Sequence, residues 1–473
     1  MPQAFLLLSG AVLAASLFCG GGTPRGLLSD LPPELLAVPL LLWASQRATM
    51  HWRDHRLLLS GAAALLLIPV LQLVPLPPAV WAHLPGRAPF FEGYLLAGIA
   101  PPWLPVTLTP GAAWRSLFAL LPGLALFCAM LSLDLSARKK LAGLALAIGV
   151  VSIPMGMLQI LGGATSPFDL FAGAGASQGR ATGFFANPNH FASFLALLVP
   201  LAAALWRPAP ASAGQRPSAL TLVGGLALIF GLLLGLTLTG SRSVLILGAL
   251  ALLASFGLIW RQPLQILLSR RAAWLVAVAG LLAAAPLALG MGLATILGRV
   301  ATVDVAEDAR WTVALGSWTA LKPYWPVGAG VGAFDAIYQR HETGALMLAQ
   351  FVNHAHNDWL EIVLEAGVPG VVGLGLWLAF LTLATVRLTR SGGDRTDALA
   401  AAALIGLWLL SLHSLWDYPL RTVALSACFG LLAGLTRPAP VHAPPPRHGR
   451  RAGSDRTPRR SDASASRRPA EPA

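Results

Sequence analysis

The chain has 473 residues, of which 56% are hydrophobic and only 11% are charged, and its mean hydropathy is +0.67. A soluble globular domain carries about 25% charged residues, so this composition excludes a soluble enzyme, a disordered protein and a disulfide-stabilised scaffold. The formal net charge of +13 is nevertheless typical of nucleic-acid-binding proteins. The positions of the charges therefore decide the class of protein.

Apolar stretches that approach the length of a bilayer crossing, about 20 residues, recur along the whole sequence. We predict twelve membrane-spanning helices, at 4–20, 33–46, 57–76, 114–134, 141–161, 189–206, 219–239, 243–260, 273–297, 358–386, 398–415 and 420–436. The predicted fold is an all-α integral membrane protein, with a polytopic transmembrane domain over 1–436 and a large outside loop before the tenth helix.

The basic residues indicate how these helices are oriented. With the N-terminus in the cytoplasm, every short inside loop carries Lys or Arg, which is the positive-inside pattern. The segment 437–473 is rich in Pro, Ala, Ser and Arg, which predicts a disordered basic cytoplasmic tail. Because no aromatic residue stands between its arginines, we expect this tail to contact anionic membrane lipids and no nucleic acid.

A few cations lie on the predicted outside and oppose this pattern. Long translocated loops tolerate charge, which accounts for Arg87 and Arg340. Arg242, in contrast, lies in a turn of a few residues between two apolar helices. Two readings of Arg242 are open: an arginine that snorkels at a helix end, or an anion site formed with Ser hydroxyls and the N–H groups that begin the next helix. Arg180 lies in a similar Gly-rich outside loop.

The loop that contains Arg180 runs into the sixth predicted helix. Asn187-Pro188 predicts a turn, and Asn189 predicts the N-cap of the helix. His190 falls in the first helical turn. We read it as a packed or interfacial histidine and not as a catalytic residue.

The longest hydrophilic segment, 298–357, is the predicted outside loop. Its first part repeats large apolar residues every three to four positions: Trp311, Leu315, Trp318, Leu321 and Trp325. This spacing predicts an amphipathic helix that lies in the membrane interface. The glycines of 328–332 are followed by no Gly-Lys-Ser/Thr and preceded by no predicted strand, so we expect a flexible turn there and not a phosphate loop.

Two histidines and three carboxylates stand at the mouth of the next helix: His354, His356, Asp358, Glu361 and Glu365. Burying Glu365 in hydrocarbon would cost about 2.5–3.5 kcal/mol, so its presence marks a site or an internal ion pair. His354 and His356 have no third ligand at a usual zinc spacing, so no metal site is predicted. On a helix that begins near His356, Glu361 points away from it, which argues against an intrahelical His–Glu dyad.

His356-Asn357, nine further residues and then Gly367-Val368-Pro369-Gly370 resemble the H-N-x9-G-x-x-G signature of the O-antigen ligase and polymerase superfamily. Other landmarks stand in the family's order, and they are Arg180 with Asn187-Pro188-Asn189, Gly240-Ser241-Arg242-Ser243, Arg310, and the glycines of 328–332 with Phe334. The resemblance covers an O-antigen ligase-like core of about 150–385.

This resemblance implies a GT-C-like glycosyltransferase in the bacterial inner membrane, with its active face in the periplasm. Such enzymes move a glycan from an undecaprenyl-diphosphate carrier to an acceptor hydroxyl, without a metal or another cofactor. The acceptor is the lipid A core in ligases, a growing polysaccharide in polymerases, and a protein Ser or Thr in oligosaccharyltransferases. No residue discriminates ligase from polymerase. A membrane transporter is the alternative from another class, although the helices show no half-to-half repeat.

The implied chemistry assigns roles to the candidate residues. Arg180 and Arg242 would bind the diphosphate, because guanidinium groups can supply the charge that a metal would otherwise provide. His356 would accept the proton of the acceptor hydroxyl, or would instead orient the acceptor or help the leaving group. Three more residues are candidates on the acceptor side or in the loop: Arg310, Asn357 and Glu361.

Overall fold

The computed structural model describes residues 2–23, 28–48, 52–163, 166–171, 180–207, 219–241, 243–259, 305–342, 344, 347, 351–390 and 398–437. Three sequence predictions lie outside the described residues: the ninth helix at 273–297, Arg242, and the tail beyond Arg437.

The described residues form fifteen α-helices: α1 (Pro2–Cys19), α2 (Leu31–Ala48), α3 (Trp52–Gln72), α4 (Pro78–Trp81), α5 (Ala88–Leu96), α6 (Pro110–Ser132), α7 (Leu135–Gly162), α8 (Pro188–Leu205), α9 (Ala219–Leu238), α10 (Ser243–Ala254), α11 (Val305–Leu321), α12 (Phe334–His341), α13 (Asp358–Arg390), α14 (Ala398–His413) and α15 (Val423–Leu435). A π-helical turn, Ser255–Ile259, continues α10, and short 3-10 helices lie at Leu28–Asp30, Lys322–Tyr324 and Pro419–Arg421. Two short strands, β1 (Pro75–Leu76) and β2 (Leu104–Pro105), pair antiparallel.

By length and composition, four of the described helices can cross a membrane: α6, α7, α8 and α13. Shorter apolar segments lie in α1, α3, α9, α10 with its π-helical turn, α14 and α15. Each predicted stretch other than 273–297 coincides with a helix. The prediction of an all-α membrane protein is therefore confirmed, while the count of twelve spans stays a prediction.

The helices pack through small residues. α6 runs along α2 and α15, and α8 runs along α14, α9 and α10. A Cβ on Gly430 of α15 would lie only 1.9 Å from the carbonyl oxygen of Gly123 in α6, so the two backbones are in contact. Such close approach through glycine is the usual way in which membrane helices associate, because lipid provides no hydrophobic drive between them.

α13 is two helices joined at a kink. Gly367 has φ 60° and ψ −136°, and a Cβ there would lie 2.1 Å from the carbonyl oxygen of Pro326. That oxygen accepts a 2.9 Å hydrogen bond from the N–H of Val368. Only glycine combines this backbone conformation with this close approach. The kink separates a short head, residues 358–366, from a long apolar shaft, residues 368–390.

The glycine segment 328–332 is a packed structural element, so the prediction of a flexible turn is wrong. It is largely buried, and its three glycines have φ of 86°, 112° and 85°, at Gly328, Gly330 and Gly332 respectively. The N–H of Gly330 donates to the backbone oxygen of Glu365 at 2.9 Å, and that of Gly332 donates to the Glu365 carboxylate at 2.8 Å. The segment therefore uses its backbone donors to hold the head of α13.

α11 has the predicted apolar face only in part. Trp311, Leu315 and Trp318 are each more than half exposed (72%, 61% and 54%). Leu321, in contrast, is buried, and Trp325 lies beyond the end of the helix. The opposite side of α11 packs on α12 and α13, so the helix joins an exposed apolar surface to the region of the head.

Candidate functional site

One fully buried carboxylate, that of Asp417, gathers side chains from separate parts of the chain. Asp417 lies in the turn after α14. Its Oδ2 accepts a 2.7 Å hydrogen bond from Asn189 Nδ2, and its Oδ1 accepts a 2.8 Å hydrogen bond from the N–H of Tyr418. Three imidazoles and one guanidinium stand farther out, and they are His190 at 3.5 Å, Arg310 at 3.8 Å, and His356 and His413 at 3.9 Å. We call these residues the Asp417 cluster.

The cluster keeps Asp417 ionised. Burial raises the pKa of its carboxyl group, but the interactions with His190, His413 and His356 lower it more. The pKa of Asp417 is therefore well below its usual range. At neutral pH the cluster contains a fixed negative charge beside three imidazoles.

Tyr418 orders the imidazoles around this charge. Its ring lies against two of them, with centroid separations of 4.9 Å to His190 and His356, and against His354 at 4.5 Å. Its hydroxyl group is hydrogen-bonded by Asn187 and Asn353. The ring is therefore fixed at both ends, and it limits how far the adjacent histidines can turn.

His356 is the histidine of the Asp417 cluster that reaches the surface. Its side chain is 29% exposed, whereas those of His190 and His413 are fully buried. Its backbone has φ 49°, a left-handed conformation that is uncommon for a residue with a Cβ. Burial lowers the pKa of His356 to about 4, more strongly than Asp417 raises it. The imidazole is therefore neutral at pH 7 and can accept a proton.

Asn357 starts the helix that carries the signature. Its Oδ1 accepts a 3.0 Å hydrogen bond from the N–H of Leu360, which is a capping interaction. α13 thus begins at Asp358 and leaves His356 outside the helix, one position earlier than the cap. The local role of Asn357 is to direct the chain into α13.

Glu361 lies deeper than the sequence suggested. Its carboxylate is fully buried and accepts 2.9 Å hydrogen bonds from His354 Nδ1 and from the N–H of Ala355. The sequence places Glu361 among the candidates on the acceptor side or in the loop. In the structure the contacts of this carboxylate lie within the chain, and its place on the acceptor side stays a prediction. The carboxylate fixes the loop that leads to His356.

Arg421 ties the head of α13 to the turn that carries Asp417. Its guanidinium lies 3.0 Å from Asp358, 3.3 Å from Glu361 and 2.8 Å from Glu365. The guanidinium and the three carboxylates are all largely buried, so they form an internal ion cluster. Of the two readings of Glu365 from the sequence, the structure shows the internal ion pair, and its partner is Arg421.

The loop that carries Arg180 lies beside the end of α9. In the sequence, the turn that follows α9 contains Arg242. The N–H of Ala181 donates a 3.2 Å hydrogen bond to the carbonyl oxygen of Leu238, at the end of α9. Beyond that end, the hydroxyl groups of Ser241 and Ser243 lie 2.7 Å apart. Arg242 itself is outside the described residues. The two loops that carry the predicted diphosphate arginines are therefore neighbours.

The start of α8 differs from the prediction. Asn187, and not Asn189, is the N-cap, because its side chain accepts a 2.8 Å hydrogen bond from the N–H of Asn189. Asn189 is therefore the second residue of α8, and its side chain reaches Asp417. His190 is fully buried, as expected of a packed histidine.

Sequence reasoning missed the centre of the site. Asp417, Tyr418 and Arg421 are not among the candidate residues from the sequence. A signal was present, because Asp417 and Arg421 are the two residues of Asp, Glu, Lys and Arg type between 398 and 436. Two opposite charges in an otherwise apolar stretch indicate buried partners.

Comparison with known proteins identifies the matching part of the chain. The model of the O-antigen ligase family matches residues 225–375, about a third of the chain. None of the curated proteins matches it. The matched segment contains Arg310, His356 and the Gly367–Gly370 signature. This match supports the resemblance of the chain to the O-antigen ligase and polymerase superfamily.

Proposed function

We propose that the chain is a GT-C-like glycosyltransferase of the bacterial inner membrane. It would move a glycan from an undecaprenyl-diphosphate carrier to an acceptor hydroxyl on the periplasmic face, with the lipid A core as acceptor. The observation that carries this proposal is the pairing of His356 with Asp417. A neutral, partly exposed imidazole stands 3.9 Å from a buried carboxylate, inside the segment that matches the O-antigen ligase family.

His356 would act as the general base. Its Nδ1 is the atom that faces Asp417, which leaves Nε2 for the acceptor. The acceptor oxygen attacks the anomeric carbon while its proton passes to Nε2, and the bond from that carbon to the diphosphate breaks, with its electron pair on the diphosphate oxygen. Asp417 stabilises the imidazolium that forms. A positioned base of this kind contributes about 10²- to 10⁴-fold to the rate.

The arginines would supply the positive charge that the substrates need. Arg180, beside the turn that carries Arg242, is proposed to bind the leaving diphosphate, because guanidinium groups bind phosphate oxygens with paired hydrogen bonds. The Arg310 side chain is 37% exposed and lies 3.8 Å from Asp417. It therefore stands near His356, where the acceptor has to approach, and we propose that it binds an anionic group of the acceptor.

The exposed face of α11 supports a place for this loop at the membrane. Trp311, Leu315 and Trp318 form an apolar surface on one side of the helix, and tryptophan-rich amphipathic helices lie in the bilayer interface. We propose that 298–357 is a periplasmic loop held in this way. The diphosphate of the carrier would also lie at the membrane interface, because the isoprenoid chain of the carrier is in the bilayer.

The test is glycan transfer by purified protein in proteoliposomes that contain a lipid-diphosphate-linked glycan and a lipid A core acceptor. We expect His356→Ala to lose at least about 100-fold in rate. His83→Ala is the matched control, since His83 is exposed, and its rate should be unchanged. Full activity of His356→Ala would overturn the assignment of the base.

The surface polysaccharide of a deletion strain separates the related reactions. Unligated long chains identify a ligase, single-repeat caps identify a polymerase, and the loss of glycan from proteins identifies a protein oligosaccharyltransferase. Solute flux in the proteoliposomes without glycan transfer would instead identify a transporter.

A further inference from the structure

The segment between α3 and α6, residues 73–109, folds as a hairpin. Strands β1 and β2 pair near its two ends, with Pro75 opposite Pro105, and the short helices α4 and α5 lie between them. The N–H of Thr107 donates a 2.9 Å hydrogen bond to the carbonyl oxygen of Gln72, which closes the base. We call this segment the 73–109 hairpin.

The hairpin has almost no charge on its surface. Its sequence contains two residues of Asp, Glu, Lys and Arg type, Arg87 and Glu92, whereas soluble domains carry about 25%. Arg87 is fully buried, so contacts within the protein, and not the length of the loop alone, accommodate its charge. Glu92 is therefore the one exposed group of these types in the hairpin.

Arg87 fixes the hairpin to the rest of the molecule. Its guanidinium donates to the carbonyl oxygens of Pro85 and Val106 within the hairpin, and to that of Gly328 at 2.8 Å. Arg340 of α12 lies over the ring of Phe90, 4.4 Å from its centroid. The hairpin is thus held against the glycine segment and α12, and its far end has a defined direction.

That far end is apolar and unprotected. Three large side chains at the end of α5 and just after it are more than half exposed, and they are Leu96 at 89%, Leu95 at 57% and Ile99 at 55%. We call them the tip. Exposing large apolar side chains of this kind to water is unfavourable in proportion to their area. An apolar environment is therefore needed at the tip.

The attachment of the hairpin indicates which environment this is. β1 begins three residues after the apolar helix α3, and β2 ends five residues before α6, which can cross a membrane. Because a residue spans at most about 3.3–3.6 Å, the base of the hairpin lies at the membrane surface. We propose that the 73–109 hairpin inserts its tip into the boundary between headgroups and acyl chains, in the leaflet on the predicted outside. Bilayer lipid is thus the partner of the tip. This proposal depends on the membrane location of the chain and not on the transfer reaction.

Spin labels at the tip test this placement. Leu96→Cys and Ile99→Cys would be prepared in a Cys19→Ala background, because the other two cysteines, Cys128 and Cys428, are buried. Each would be labelled with a nitroxide in nanodiscs of phosphatidylethanolamine and phosphatidylglycerol. Gln339→Cys is the matched control, since Gln339 is exposed beside Arg340 on α12.

We expect the ratio of collision with oxygen to collision with a water-soluble nickel chelate to be several-fold higher at both tip positions than at Gln339. Equal ratios at the tip and at Gln339 would overturn the proposal. Spin–spin broadening at the tip that disappears on dilution with unlabelled protein would also overturn it, because a second copy of the chain would then cover the tip.

Discussion

Oδ1 of Asp417 lies 3.9 Å from Nδ1 of His356, and the second oxygen of the same carboxylate is fixed by Asn189 at 2.7 Å. The distance to His356 is longer than a hydrogen bond, so the carboxylate acts on the imidazole mainly through its charge. At this separation an ionised carboxylate favours the protonated imidazole. The pair is therefore arranged to stabilise the state that would form during proton transfer.

Asp417→Asn tests this charge while it keeps the shape of the side chain. We expect the rate of glycan transfer to fall about 100-fold, because the imidazolium loses its counter-charge. Asp335→Asn, at an exposed position on α12, should be unaffected. Transfer by Asp417→Asn at the rate of the unchanged chain would contradict the role of Asp417.

Arg421→Met tests the ion cluster at the head of α13. The change leaves three carboxylates in contact with no guanidinium, and breaking a buried ion pair by removing one partner costs about 3–5 kcal/mol. We expect a marked decrease in the temperature of unfolding, followed by intrinsic fluorescence in detergent micelles. Arg421→Lys should give an intermediate value, since an ammonium keeps the charge but cannot form the same set of contacts. An unchanged unfolding temperature for Arg421→Met would be inconsistent with this structure.

Gly367→Ala tests the kink in α13. Because the new Cβ would meet the carbonyl oxygen of Pro326 at 2.1 Å and φ is 60°, the backbone has to move. We expect a loss of stability of at least about 1–3 kcal/mol, together with reduced transfer.

Gly373→Ala provides the matched control for the kink. It lies in the shaft of the same helix, and nothing stands within 4 Å of its added Cβ. It should be neutral or stabilising by up to about 1 kcal/mol. Equal unfolding temperatures for the two variants would show that the kink is not strained.

The pH dependence of transfer reports the state of His356. A histidine in water has a pKa near 6.5, whereas burial lowers that of His356 to about 4. Its neutral form is the one able to accept a proton, so kcat/KM should stay level as the pH falls through 6.5 and decrease only as it approaches about 4. A decrease centred near 6.5 would show that His356 titrates as it does in water. Circular dichroism at each pH separates the titration from acid unfolding.

Much of the architecture could be predicted because its signals are local. An apolar run of about 20 residues specifies a membrane helix by itself, and the stretches that became α1, α6, α7, α8 and α13 were all apparent in the sequence. The resemblance at His356-Asn357 and Gly367–Gly370 was local as well. The physical reason for a glycine at position 367 is its contact with Pro326. That contact joins distant parts of the sequence, so it could not be predicted locally.

The centre of the site depends on contacts between residues far apart in the sequence. Nothing in the turn after α14 indicates that Asp417 faces His356, because that contact needs α8, α13 and α14 to pack first. The error at Asn189 has a similar cause. Both Asn187 and Asn189 are good capping residues, and the structure uses one as the cap and the other as a donor to Asp417.

The boundary of the family match has a practical consequence for dissecting the protein. The segment 225–375 includes the proposed base and Arg310, but Asn189 precedes it, and Asp417, Tyr418 and Arg421 follow it. A fragment cut at these limits would keep the recognisable sequence and lose the counter-charge that makes it chemically useful. For this molecule the segment that identifies a relative is smaller than the unit that could perform a reaction. Domain exchange between relatives should therefore move 180–437 as one block.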